Sequence, residues 1–264
     1  MHAHDHPDER ACIRIVDAGP VRVVTIDRPH VRNAVDSETA TALREAFLDF
    51  DEDPGLSVGI LTGADGAFCA GADLKAVALG DKRPIRDDGP APMGPTRDLL
   101  SKPVIAAVEG PCVAGGLELA LWCDLRVAGS DAVFGVYCRR FGVPLCDLGT
   151  VRLPRLIGHS RAMDMILTGR GVSADEALSF GLANRVVPSG EALDSSIKLA
   201  LELSELPQGC LRSDRSSAIG QWGLSEDQAA RAEAALGRAV VASGETLQGA
   251  ARFASGAGRG GARL

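Results

Sequence analysis

The chain has 264 residues, 45% of them hydrophobic and 24% charged, which suffices for one large core and is too apolar for a disordered polymer. A net charge of −7 argues against a general nucleic-acid surface, because phosphate backbones are held by clustered lysine and arginine, yet it leaves room for a local patch that takes a phosphorylated small molecule. Seven scattered cysteines without metal-ligand spacing fit reduced thiols better than a disulfide framework or a structural zinc, and no apolar run reaches the roughly 18 residues of a membrane span.

Met1 to Arg10 form a polar leader in which His2, His4 and His6 alternate with acids; the segment reads as disordered and lacks the apolar centre of a signal peptide, so a cytoplasmic protein is expected. Val21 to Ile26 reads as a strand. Behind a cap at Asp36 or Ser37, Ala40, Leu43, Ala46, Phe47 and Phe50 recur at helical spacing. Val58 to Thr62 and Val104 to Val108 are β-branched apolar runs of strand length. Between them, residues 76–98 carry prolines and glycines that forbid a continuous helix; they form either a mobile pocket wall or a surface linker.

Short strands are predicted over Leu125 to Ala128 and Ala132 to Val136, a helix from Ser160 closed by Gly169, and a capping box at Ser173 and Glu176. Glu191 to Leu206 reads as a helix stopped by Pro207, and Ser225 with Gln228 caps another through Val241. Residues 255–264, rich in glycine and arginine, read as a flexible tail. Strand, loop and helix repeat at irregular spacing, which indicates an α/β chain with largely parallel pairing and does not distinguish a doubly wound sheet from a spiral.

Chemistry concentrates in Gly115-Gly116-Leu117-Glu118, where a glycine turn follows a buried strand and opens a buried helix. Free N–H groups of a first helical turn can hold an oxyanion, with Glu118 one turn along. The plainer account is a helix start whose acid complements the macrodipole. A second turn of the same kind, Phe68-Cys69-Ala70-Gly71-Ala72-Asp73-Leu74, follows strand 58–62, so two turns can each supply one donor.

These two turns, with Thr25-Ile26-Asp27-Arg28-Pro29, Lys102-Pro103 through Glu109-Gly110, Cys123-Asp124, Arg152 to Gly158 and Leu167-Thr168-Gly169-Arg170, resemble in order the signatures of the crotonase superfamily, the enoyl-CoA hydratase/isomerase family. The resemblance covers residues 12–190 closely and the remainder loosely. It implies a right-handed spiral of β-β-α units over residues 11–190 and a C-terminal helical region, 191–254, that packs against neighbouring subunits in homotrimers or hexamers. It further implies an acyl-CoA thioester enzyme that stabilises an enolate, with hydration of a 2-enoyl-CoA first, double-bond isomerisation, hydrolysis or decarboxylation as alternatives, and a non-catalytic acyl-CoA-binding protein as the reading from another class.

On that resemblance the amides of Ala72 and Gly115 form the oxyanion hole, and Glu118 is the first of the two hydratase glutamates. Cys138 occupies the position of the second, followed by Arg139 and Arg140, and a thiol orients water poorly. Asp147 is the nearest substitute acid. Arg28, Val31, Arg32, Ala70, Asp73, Leu74 and Lys75 are expected around coenzyme A, with Arg212 or Arg215 as further candidates for its phosphates. Coenzyme A enters as part of the substrate; no metal, separate cofactor, membrane or nucleic acid is expected.

Overall fold

A computed structural model describes residues 11–256, so the expected leader 1–10 and residues 257–264 of the tail lie outside the described residues. The chain opens with β1 (Ile13–Ala18) and β2 (Val21–Ile26), an antiparallel hairpin, and α1 (Ser37–Glu52), which Asp36 caps by accepting from the amide of Thr39. Then come β3 (Val58–Gly63), α2 (Leu74–Ala78), β4 (Val104–Val108), β5 (Pro111–Val113) and α3 (Gly115–Trp122). β6 (Leu125–Gly129), β7 (Val133–Gly135), α4 (Gly149–Ile157), α5 (His159–Thr168), β8 (Gly171–Ser173), α6 (Ala174–Phe180) and β9 (Arg185–Val187) follow. Four helices end the described chain: α7 (Ala192–Ser204), α8 (Gln208–Gly220), α9 (Glu226–Ala242) and α10 (Glu245–Ala254).

Six strands form one sheet in the order β1-β2-β3-β4-β6-β9, parallel from β2 onward, and three form a second in the order β5-β7-β8. Isolated parallel bridges from Val35 to Ala72 and from Cys69 to Cys112 extend the pairing beyond the regular strands. Each turn of chain therefore places a strand in the large sheet, crosses to a short pairing segment, and enters a helix. β2, Val35 and α1 make one such turn; β3, Cys69 to Ala72 and α2 the next; then β4, β5 and α3. The recurrence puts the segment that precedes α2 beside the segment that precedes α3, which is what assembles the site.

The central strands of the large sheet, β2, β3, β4 and β6, are buried on both faces, which explains their apolar runs. Val24, Leu61, Ala106 and Val108 join the main core beneath α1 and α3, while Val23, Val58, Ile60, Ile105 and Val127 form a second cluster with Ala192, Leu199 and Ala200 of α7. Burying each such aliphatic side chain contributes about 1.5–3 kcal/mol. The packing of α7 corrects the expectation that the helix from Glu191 onward offers its apolar face to a neighbour, since this chain's own sheet covers it. By contrast α8, α9 and α10 contain no buried residue.

Local expectations are met at Ser225, where the capping box is complete, and at Gly169, which ends α5 in the left-handed conformation. At Ser173 only half of the box forms. Its hydroxyl accepts from the amide of Glu176, but the Glu176 carboxylate turns to Arg170 in a two-pronged pair at 2.7 and 2.9 Å.

Candidate active site

The first helical turn of α3 is set by an unusual residue. Ala114, its N-cap, lies at φ 54° and ψ −125°, a conformation that L side chains avoid, and the chain then enters the helix with the amide of Gly115 free. Met93 seals this turn, because a Cβ on Gly115 would sit 2.5 Å from its sulfur. On the neighbouring turn, Gly71 has φ 92° and approaches so closely that a Cβ there would be 2.8 Å from the nitrogen of Gly115. Val35 exchanges hydrogen bonds with Gly71 and Asp73, leaving Ala72 between them. Among the described residues neither the Ala72 nor the Gly115 amide donates to a protein acceptor. Ala72, Gly115 and Glu118 line one cavity of about 560 Å³, whose walls include Ala70, Leu74, Cys138 and Asp147.

Glu118 is 2% exposed. Its Oε1 accepts from the amides of Asp147 and Gly149, each at 2.8 Å, so the start of α4 clamps the carboxylate. Burial, followed by the negative charge of Asp147, pushes its pKa up to about 7 against the pull of the backbone donors. An acid poised there exchanges a proton readily near neutral pH.

Asp147, 1% exposed, is anchored through Oδ1, which accepts from the amide of Met93 at 2.8 Å and the hydroxyl of Thr96 at 2.6 Å. Oδ2 has the Cys146 thiol at 3.7 Å. Arg152 fastens this corner by donating to the carbonyls of Asp147 and Thr96. Two buried carboxyl groups thus share the cavity with two free amides. Cys138 faces the same space from a 3-10 turn over Tyr137–Phe141, and burial together with the charge of Glu118 raises its pKa, keeping the thiol neutral. Arg139 and Arg140 turn away to carbonyls of Ile166 and Gly169 at the end of α5, so neither enters the cavity.

The expected coenzyme A residues separate into groups. Ala70 and Leu74 line the cavity, and exposed Arg32 and Lys75 and half-buried Val31 lie outside its lining. Arg28 corrects the expectation of a free phosphate-binding cation: its guanidinium pairs with Asp36 at 2.7 Å and Asp73 at 3.2 Å and donates to the carbonyl of Ala34. Asp73 is likewise committed, capping α2 through the amides of Lys75 and Ala76. Arg215 pairs with Asp124 and donates to the carbonyl of Leu100, and with Arg212 it lines a separate depression between α8, α9 and the core. Neither joins the Glu118 cavity.

Met93, Thr96, Arg83 and Gly149 were not singled out from the sequence, and only the glycine carried a usable signal: a small residue at a helix start. Among the described residues no cluster of His, Cys, Asp and Glu is arranged to hold a metal, and no helix is long and apolar enough to cross a membrane.

A buried acid beside two unengaged amides is an arrangement able to stabilise negative charge on a carbonyl oxygen and to move a proton nearby. Residues 17–255 match the model of the enoyl-CoA hydratase/isomerase family, and the chain belongs to that family. It is 43% identical over 194 residues to a carnitinyl-CoA dehydratase of Salmonella arizonae, covering 72% of this chain and 74% of that protein. To the enoyl-CoA hydratase EchA19 of Mycobacterium tuberculosis it is 37% identical over 247 residues, 89% of this chain and 91% of the relative. The crystal structure of enoyl-CoA hydratase EchA1 from Mycobacterium marinum superimposes with a TM-score of 0.88 at 36% identity, covering 92% of this chain and 96% of that one. The fold is therefore the crotonase fold, and the chain is a hydratase/isomerase-type enzyme.

Proposed function

We propose that the protein adds water across the double bond of a 2-enoyl-CoA, with Glu118 and Asp147 as its two carboxyl groups. The thioester oxygen accepts from the amides of Ala72 and Gly115, which lowers the cost of the enolate formed when oxygen attacks C3; losing one such donor costs on the order of 10² to 10³ in rate. Glu118 takes a proton from the attacking water, and a proton is returned to C2 to complete the addition. Asp147 holds that water from the opposite side, the role for which the Cys138 thiol is unsuited. The observation that carries this reading is the burial of both carboxyl groups on the cavity that Ala72 and Gly115, with their unengaged amides, also line. The carbonyl is already activated by sulfur, so the reading requires no group beyond coenzyme A itself. Exposed Arg32 and Lys75 are the cations assigned to its phosphates.

Incubating but-2-enoyl-CoA with the wild-type and Glu118→Gln proteins tests the reading. A product heavier by one water from the wild type alone is expected; equal turnover by the variant would remove Glu118 from the mechanism. A second reading rests on Cys138: with no carboxylate at that position, a single acid suffices to shuttle a proton between C2 and C4 of a 3-enoyl-CoA. Rapid α-proton exchange in deuterated water without hydration would favour isomerisation.

The exposed apolar side chains of the last three helices and of the turn joining α8 to α9, among them Ile219, Trp222, Val241, Leu247 and Phe253, support assembly as a homotrimer or hexamer. Native mass spectrometry reads that state directly, and a monomer at micromolar concentration would refute it. The scattered cysteines support a reducing, cytoplasmic setting.

A further inference from the structure

Arg83 lines the Glu118 cavity, yet its side chain is only 8% exposed and its donors are poorly used. Nη1 reaches the carbonyl of Pro92 at 3.4 Å and the sulfur of Met93 at 3.8 Å, both at the far limit of hydrogen bonding. Nε is buried without an acceptor. The nearest carboxylate, Asp81, stands 3.8 Å from Nε and is held by the amide and hydroxyl of Ser37 at the start of α1.

The same chain shows what this edge of a guanidinium normally does. Through Nε and Nη2, Arg22 grips Asp17 at 2.8 and 2.9 Å and Arg44 grips Asp98 at 2.8 and 3.0 Å. In Arg83 that two-pronged edge has no protein acceptor within hydrogen-bonding distance. An unfilled, desolvated guanidinium is costly unless a ligand completes it.

We propose that Arg83 is a specificity-determining residue that takes a carboxylate on the acyl group of the thioester, so that the substrate is a carboxylated enoyl-CoA. The inference rests on the assignment of the cavity as the acyl-CoA site. Met93 joins the two parts of the argument, since its sulfur touches Nη1 of Arg83 and packs on Gly115 of the oxyanion hole while its amide holds Asp147. A carboxylate bound by Arg83 is thus a few atoms from the reacting carbons. Planar and bidentate, it matches the fork that a neutral chain leaves empty.

The test uses unreactive saturated thioesters, so it does not depend on catalysis. Binding of 4-carboxybutanoyl-CoA and of its neutral isostere 5-methylhexanoyl-CoA is measured by calorimetry for wild type, Arg83→Met and Arg83→Lys. The wild type is expected to favour the carboxylated ligand. Arg83→Met should weaken that ligand roughly 10- to 100-fold while changing the isostere by less than about threefold, with Arg83→Lys between. A wild-type preference for the isostere, no change in the ratio on Arg83→Met, or equal loss of both ligands would overturn the assignment, the last marking Arg83 as a structural pair of Asp81. Failure of the wild type to hydrate either but-2-enoyl-CoA or the carboxylated 4-carboxybut-2-enoyl-CoA while the binding ratio behaves as expected would instead refute the hydratase reading and leave Arg83 standing.

Discussion

Gly149 and Glu118 are fitted to one another: the Gly149 amide donates to Oε1 of Glu118 at 2.8 Å, and a Cβ on that glycine would lie 2.7 Å from the same oxygen. Only a residue without a side chain can hold the carboxylate from this distance. Gly149→Ala must move Glu118 or the start of α4. We expect kcat to fall by roughly 10- to 100-fold while the variant stays folded, since overpacking of one methyl costs about 1–3 kcal/mol. Steady-state rates with but-2-enoyl-CoA beside a thermal melt check both halves; unchanged kcat would show that Glu118 tolerates the shift.

The pKa of Glu118, raised from 4.5 to about 7, carries a sign for stability. An acid whose folded value lies above its unfolded one stabilises the fold relative to neutral conditions below about pH 4.5, and that advantage is lost as pH rises through about 7. Above pH 7 the buried charge costs up to on the order of 3 kcal/mol. Glu118→Gln keeps an acceptor oxygen for the two amides and removes the charge, so the variant should be more stable than wild type at pH 8 and gain little at pH 4. Urea unfolding at the two values measures the difference. The hydration rate of wild type should rise with pH to a plateau above about 7, as the base form fills.

Asp147 and Cys138 make opposite predictions about the missing second glutamate. Asp147→Asn preserves an oxygen for Met93 and Thr96 but removes the charge that helps raise Glu118. Hydration should drop at least about 10²-fold, the scale of one general acid–base group, and the pH limb of the residual activity should move to lower pH. Cys138→Ser should stay within about threefold of wild type. If serine at 138 is as damaging as asparagine at 147, the thiol is the working group.

What could be read from the chain followed the physics of periodicity and capping. β3 and β4 are apolar on both faces and announce themselves as strands, and Gly115 with Glu118 points to the candidate site because a strand, a glycine turn and a buried acid fall in order. The other half of the site was not legible. Met93 and Thr96 come from an irregular segment, and their value lies in reaching Asp147, more than 50 positions away. Arg28 misled for the same reason, because a cation's partners are decided by the fold: Asp36 and Asp73 neutralise it. β1, largely exposed at the sheet edge, has little burial pattern to show.

Ala114 offers a separation of strain from chemistry. Its φ of 54° costs a residue with a side chain about 1–3 kcal/mol, and its Cβ lies 2.7 Å from where a Cβ on Gly71 would be. Ala114→Gly should relieve the strain and raise the melting temperature, less the greater entropy that glycine loses on folding, while kcat stays within about twofold. Gly71→Ala is the converse. The new methyl meets both Ala114 and the Gly115 nitrogen, and Gly71 itself has φ 92°, so the hole must open or the turn must shift. We expect the rate to fall by on the order of 10²-fold or more, with affinity for a saturated acyl-CoA reduced as well, because the thioester oxygen is held in ground and transition states alike. Comparing kcat with the Kd of the saturated thioester for the two variants distinguishes these outcomes, and a Gly71→Ala enzyme of full activity would place the oxyanion elsewhere.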